Sequence, residues 1–296
     1  MSGADTCLVL GASGQVAQEL QTMLARFGFA PALVGRETAD LTRIEPDVLL
    51  DQYSPHAVIN AAAYTAVDKA ETEREAAFAL NAEMPGRFAT AAAGRGIPFV
   101  QISTDYVFDG SKPAPYVETD PKRPLGAYGE SKAAGEEAVI EAGGRFAILR
   151  TAWVYGRYGA NFLKTMRRLA QTRDELGVVN DQVGSPTRSA EVAQGAARVA
   201  RALMDRGDGA MGVLHCAGEG EASWADFASA IFEEEVRYGG RGAKVRRITT
   251  ADYPTPAARP ANSRLDSALM METIGWRPGP WRAQLASLYA EGPFPL

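Results

Sequence analysis

Three features of the amino-acid sequence predict an α/β fold, a doubly wound parallel sheet with a smaller α/β C-terminal region. Short apolar runs alternate with amphipathic segments through the first half of the chain, the pattern of right-handed βαβ units. The runs are continuous rather than alternating, as in strands buried on both faces. A small-residue turn, Gly11-Ala12-Ser13-Gly14, joins the first run to the first amphipathic segment.

Taken in order, "CLVL" (7–10) is expected as a strand and "GQVAQELQTMLARFG" (14–28) as a helix. "PALVG" (31–35) is strand-like, and "RIEPDVLLDQY" (43–53) is helix-like with Pro46 in its first turn. "HAVIN" (56–60) is a strand, residues 73–96 a long helix and "PFVQIS" (98–103) a strand. A Pro/Gly-rich loop (109–126) precedes a helix through Tyr128 and the strand "RFAILR" (145–150). Beyond Arg150 the alternation loosens. Residues 161–174 and 189–207 read as helices, "GVLHCAG" (212–218) as a strand, and 223–236 as a helix opened by a Ser cap. Residues 253–265 are rich in Pro and Arg and read as irregular.

The chain has 296 residues, 46% hydrophobic and 23% charged, enough to bury a full core. Its net charge is −5 and no run of Lys or Arg marks a nucleic-acid footprint, so nucleic-acid partners are not expected. The N-terminus carries no basic, signal-like segment, and no stretch approaches the ~20 apolar residues of a membrane span. A cytoplasmic protein without membrane partners is the expectation. Cys7 and Cys216 each lie in an apolar run and are expected as buried free thiols.

The turn after the first strand places Gly11, Gly14 and Ala17 as G-x-x-G-x-x-A. Such a turn brings backbone N–H groups and a helix N-terminus to a pyrophosphate. This makes the sheet Rossmann-type and a dinucleotide its expected ligand, with Ser13, Gln15 and Val16 completing the turn's contacts. Arg36 directly follows the second strand, where an acidic residue would bind the ribose diol of NAD and Arg suits the 2′-phosphate of NADP. Asp40 and Leu41 then stand for the adenine. Ala61, Ala62 and Ala63, followed by Tyr64 and Thr65, lie at the end of the third strand, where small side chains let a cofactor pass close to the backbone. In "AYGESKAAGE" (127–136), Tyr128 and Lys132 are four residues apart and share one helix face.

"QISTDYVFDG" and "AYGESKAAGE", with the glycine turn, resemble an extended short-chain dehydrogenase/reductase. "NAAAYTAVDKAE", "RTAWVYG", "NFLKTMRRLA", "VNDQVGSPT" and "YPTPAARPANSRLD" narrow the resemblance to the dTDP-4-dehydrorhamnose reductase family, from about residue 7 to 290. The resemblance implies reduction of the C4 keto group of a dTDP-sugar by NADPH or NADH, with Thr104, Tyr128 and Lys132 as the catalytic set. Tyr128 would donate the proton, and Lys132 would lower its pKa and hold the nicotinamide ribose. It further implies Val67, Asp105, Tyr106 and Trp153 around the sugar, and Asn161, Gln182, Arg259 and Arg264 on the nucleotide. Residues 1–152, joined by part of 185–218, would bind the cofactor, and 153–296 mainly the substrate. Some family members bind magnesium at a dimer interface through glutamates, for which Glu19 and Glu191 are the residues on offer, so a homodimer with Mg2+ is an expectation. Two rival readings keep the fold. One is another nucleotide-sugar 4-ketoreductase, such as one forming dTDP-6-deoxy-L-talose. The other is a non-catalytic NADP-binding regulatory subunit of the methionine adenosyltransferase type.

Overall fold

The computed structural model of the protein describes residues 3–206 and 211–296. Its central sheet begins with β1 (Asp5–Leu10), β2 (Phe29–Val34), β3 (Ala57–Asn60), β4 (Phe99–Thr104) and β5 (Phe146–Thr151). Four short strands follow: β6 (Val154–Tyr155), β7 (Glu175–Val179), β8 (Val183–Gly184) and β9 (Thr187–Arg188). Then come β10 (Gly212–His215), β11 (Ala222–Ser223), β12 (Lys244–Ile248) and β13 (Asn262–Ser263). The sheet order is β10-β5-β4-β3-β1-β2, parallel throughout. The chain leaves β1 toward β2 on one side and returns to β3 on the other. That reversal opens a crevice at the C-terminal strand ends, where open α/β sheets bind ligands.

The helices are α1 (Gln15–Met23), α2 (Pro46–Tyr53), α3 (Val67–Ala70), α4 (Arg74–Phe78), α5 (Met84–Gly94), α6 (Ala127–Ala142), α7 (Phe162–Ala170), α8 (Ser189–Arg206), α9 (Trp224–Arg237), α10 (Ala268–Ile274) and α11 (Trp281–Ala290). Alternate residues of β1 face opposite layers. Cys7 and Val9 pack with Leu20 of α1 and Val192 and Val199 of α8. Leu8 and Leu10 pack with Phe88 of α5 and Val139 of α6. Burial on both faces explains why these strands read as unbroken apolar runs. A separate core joins α7, α9 and α11 around Tyr155, Phe227 and Trp281. Two small sheets, β11-β8-β13 and β12-β7, complete that C-terminal region.

Several elements depart from the sequence pattern, each for a physical reason. The helix expected over 43–53 starts only at Pro46. Proline disfavours helical geometry in the residue before it, and Glu45 is accordingly extended. The helix expected over 14–28 tightens to 3₁₀ at Leu24 and ends at left-handed Gly28. The strand expected to run to Gly218 leaves the sheet after His215. Ser223 caps α9 through a capping box with Asp226. The helix of 189–207 is described to Arg206, and Gly207 lies outside the described residues. Strands β7 and β12, and helices α10 and α11, had no reading of their own in the sequence. Lys244–Ile248 carries charge at three of its five positions, two of them consecutive, and becomes a strand only by pairing with β7.

The helix expected over 73–96 is interrupted by a π-helical turn, Ala79–Glu83. The turn carries Asn81, whose side chain accepts from Tyr64 N (2.8 Å) and donates to the Tyr64 carbonyl and to Ser131 Oγ. Its backbone carbonyl presses on Gly135 of α6, where a Cβ would come within 2.0 Å of the oxygen. A wider turn here therefore lets α6 approach and seats the loop after β3. Both consequences position the crevice.

Candidate active site

One cleft of about 910 Å³ follows the C-terminal ends of β1, β3, β4 and β5. At one end is the small-residue turn. Gly11 has φ +98°, and a Cβ there would lie 2.6 Å from the Ala62 backbone, so only glycine fits. Gly14, the residue before α1, has ordinary φ and faces the cleft. Ser13, Gln15, Val16, Arg36, Asp40, Leu41, Ala61, Ala62, Ala63, Tyr64 and Thr65 all line the same cleft. Arg36 is exposed at its rim. The Asp40 carboxylate already accepts from Thr42 N (3.0 Å) and Thr42 Oγ1 (2.7 Å), which holds it below the usual carboxylate range.

The other end holds the polar cluster. Helical spacing on α6 brings Tyr128 and Lys132 to the wall formed by β4. Thr104 closes β4 and caps the short turn Asp105–Val107 by accepting from Tyr106 N (3.2 Å). Thr104 Oγ1 donates to Asp105 Oδ1 (2.9 Å), and its hydroxyl lies beside that of Tyr128. A hydroxyl has one proton, so Thr104 serves one acceptor at a time and offers a lone pair to the other neighbour. The Tyr106 and Tyr128 rings meet edge to face at 5.3 Å. Lys132 is 3% exposed, and its Nζ donates to the Ile102 carbonyl at 2.7 Å.

Burial dominates the protonation of this cluster. It pushes the Tyr128 phenol up to about 12, against the opposing effect of the Thr104 hydroxyl. It pushes the Lys132 ammonium down to about 8, with Glu136 opposing. It raises Asp105 to about 6, although Asp105 Oδ1 accepts from Thr104 Oγ1. The net shift of Tyr128 is upward, and Lys132 is not among the groups that set it. Desolvation is the largest influence and Asp105 adds to it, so Tyr128 is held as the neutral phenol. Among the described residues, Asp105 Oδ2 and Thr151 Oγ1 are buried without a hydrogen-bond partner. Both residues line the cleft beside Thr104, which pairs with Thr151 across β4 and β5.

Trp153, Tyr106 and Val67 also line the cleft. Trp153 has φ +47°, uncommon for a non-glycine residue, and stacks on Trp224 with centroids 3.5 Å apart. Trp224 lines the cleft as well, a residue that sequence reasoning missed. Its position directly after the Ser223 cap was the available signal.

Four expected nucleotide contacts are not brought to the cleft, and each has found an internal partner. Asn161 caps α7 by accepting from Lys164 N and donates to Gln15 Oε1 at 2.8 Å. Gln182 spans Trp224 Nε1 and Thr250 Oγ1. Arg259 pairs with Asp68 at 2.8 Å. Arg264 pairs with Glu221, bonds the Pro113 carbonyl and lines a different cavity of about 220 Å³. Within one chain, Glu19 and Glu191 both lie near Arg188. Glu19 is buried, accepts from Ser189 Oγ at 2.9 Å and has Arg188 and Arg157 for charged neighbours, and Glu191 also faces Arg188. Burial raises both carboxylates above their ordinary range, against the pull of Arg188, and no group of three or more potential ligands converges among the described residues of the single chain.

The chain matches the family model described as the RmlD substrate binding domain over residues 5–293. It is 45% identical over 275 residues to a dTDP-4-dehydrorhamnose reductase of Sinorhizobium fredii, covering 92% of this chain and 93% of that one. It is 37% identical over 287 residues to the spore coat polysaccharide biosynthesis protein SpsK of Bacillus subtilis, covering 96% of each chain. Among solved structures, it resembles the dTDP-4-dehydrorhamnose reductase of Bacillus anthracis in complex with NADP. The TM-score is 0.90 at 33% identity, over 98% of this chain and all of that one.

Proposed function

The chain belongs to the RmlD substrate binding domain family, and from that premise we propose that it reduces the C4 keto group of dTDP-4-dehydro-L-rhamnose to give dTDP-L-rhamnose, with NADPH or NADH as reductant. The observation that carries this reading is that Thr104, the partly buried Tyr128 and Lys132 line the same cleft as the Gly11–Val16 turn.

The cofactor, when bound, supplies the hydride. The turn residues Gly11, Ser13, Gly14, Gln15 and Val16 present backbone donors and the start of α1 to its pyrophosphate. Arg36 would hold a 2′-phosphate, and Ala61, Ala62 and Ala63 would leave room along the backbone. Tyr128, kept neutral by burial, gives its proton to the alkoxide oxygen forming at C4. Thr104 orients that hydroxyl and shares the oxygen's developing charge. Lys132 contributes its ammonium beside the phenol and to the nicotinamide ribose. Trp153, Trp224, Tyr106 and Val67 shape an apolar wall for the sugar, and Asp105 offers its free oxygen to a sugar hydroxyl. On this reading the sheet-forming part, with α8 and β10, serves the cofactor, and the region of α7, α9 and α11 serves the nucleotide sugar. It extends to a cytoplasmic homodimer, whose mass light scattering would measure.

Purified protein should oxidise NADPH on addition of dTDP-4-dehydro-L-rhamnose. Tight NADPH binding without turnover on any nucleotide keto-sugar would instead favour a regulatory subunit. Two variants test the cofactor assignment. Gly14→Val adds branches that project toward the pyrophosphate's path, while its Cβ meets nothing closer than 3.3 Å. It should fold with near-native stability and bind NADPH at least about tenfold more weakly by calorimetry. Unchanged affinity would place the cofactor elsewhere. Arg36→Asp should move the ratio of kcat/KM for NADPH over NADH toward NADH by about 10- to 100-fold, because a carboxylate repels the 2′-phosphate and accepts from a free diol. An unmoved ratio would leave Arg36 a solvated surface charge.

A further inference from the structure

Trp153 follows β5 of the central sheet, and Trp224 opens α9 of the C-terminal region. Their rings stack at 3.5 Å with planes 7° apart. Gly184 of β8 lies against Trp153 as well. A Cβ built on Gly184 would come within 2.8 Å of three indole atoms at once, Cε2, Nε1 and Cδ2, nearest to Cε2, the middle one. Only a point above the ring plane meets that condition. A ring stacked at 3.5 Å and a strand backbone cannot share one face, so the Trp153 indole is gripped between Trp224 and Gly184 and turns its edge to the cleft it lines. Trp153 also holds φ +47°, a backbone state that a bulky residue keeps only where its surroundings over-determine it. Trp224 is fixed in turn. Its Nε1 donates to Gln182 Oε1 at 3.2 Å, and the Phe162 ring packs on it at 4.6 Å.

We propose that Trp224 and Gly184 are positioning residues for the nucleotide sugar that act through Trp153, holding its indole edge-on so that the sugar subsite keeps one width. The proposal rests on the reductase reading, in which this cleft receives the sugar. Thr104, Tyr128 and Lys132 stand on β4 and α6, whereas both positioning residues stand on β8 and α9. The grip on Trp153 is thus the means by which the C-terminal region sets one wall of a site whose reacting groups lie on the central sheet and its helix. Gly184 isolates the effect. It is not among the residues that line the cleft, so it reaches a bound sugar only through Trp153. Trp224 lines the cleft itself, and a variant there mixes a direct contact with the indirect one.

The test is the calorimetric affinity for dTDP-L-rhamnose, and separately for NADPH, in Gly184→Ala and Trp224→Leu. The methyl added by Gly184→Ala must displace the Trp153 ring, and the backbone at Gly184 lies outside the left-handed region, so alanine suits its conformation. Both variants should bind the nucleotide sugar at least about tenfold more weakly, the scale of losing a well-packed aromatic anchor, and keep NADPH affinity within about threefold of wild type. Trp224→Phe keeps an aromatic face on Trp153 and should recover most of the loss. Trp153→Ala removes the group through which both residues act, so adding Gly184→Ala or Trp224→Leu to it should cost nothing further. A full additional loss in the Trp153→Ala background would overturn the proposal. So would unchanged sugar affinity in folded Gly184→Ala, or sugar and NADPH affinities that fall together, the mark of a general loss of structure. Trp224→Leu deletes packing and can unfold its region, whereas Gly184→Ala deletes nothing and decides the matter alone. A wild type that binds no dTDP-sugar would refute the reductase reading and the proposal with it, whereas one that binds it no better than the variants do overturns the positioning role alone.

Discussion

Tyr128→Phe is expected to fold, to bind NADPH with near wild-type affinity and to lose about 10²–10⁴-fold in kcat, the usual loss when a general acid is removed. The ring keeps its edge-to-face contact with Tyr106, so packing changes little. What disappears is the hydroxyl, which lies beside that of Thr104. The phenol's proton is held tightly, since burial lifts it to about 12. It is thus available at every ordinary assay pH, and the forming alkoxide, a far stronger base, can take it. Stopped-flow turnover with calorimetric NADPH binding on the same preparation checks both parts. Near wild-type kcat would remove Tyr128 from the mechanism.

Lys132→Met should lower kcat by about 10²–10³-fold, the range for losing one preorganised electrostatic partner of a reacting group. A second change is more diagnostic. Burial lowers Lys132 to about 8, so in the wild type the ammonium is present below that pH and lost as pH rises through it. Tyr128, higher by several units, does not titrate in this range. The first alkaline limb of kcat therefore belongs to Lys132, and Lys132→Met should abolish it, leaving a flat profile up to about pH 10. The profile is taken with saturating substrate and cofactor. A variant that is slow yet keeps the limb would assign that titration to another group. One with unaltered kcat would make the four-residue spacing on α6 incidental.

The sequence made local arrangements legible. The Gly11–Val16 turn, Thr104 at the end of its strand and the Tyr128–Lys132 spacing each depend on a few consecutive residues and one element, and all line one cleft. Partner choice across the fold was not legible. Arg259 and Arg264 read equally well as diphosphate ligands or as ion-pair members, and only the tertiary structure sets them against Asp68 and Glu221. Asn161 likewise read as a ligand, yet its place directly before a helical run is that of an N-cap, which it fills. Strands β7 and β12 escaped notice because each is only five residues long and finds its strand partner in the other. The balance of burial and charge on Tyr128 was also hidden, because spacing reveals a neighbour but not how dry the site is.

The central claim is hydride delivery to C4 of the nucleotide sugar, with the proton placed on its oxygen by Tyr128. It is tested most directly by incubating the protein with dTDP-4-dehydro-L-rhamnose and NADPH deuterated at the nicotinamide C4 position, then reading the product by NMR. With the label on the transferred face, the account predicts dTDP-L-rhamnose carrying one deuterium at sugar C4 and none elsewhere. Cofactor left unoxidised with the label on either face, or deuterium at any other carbon, would contradict it.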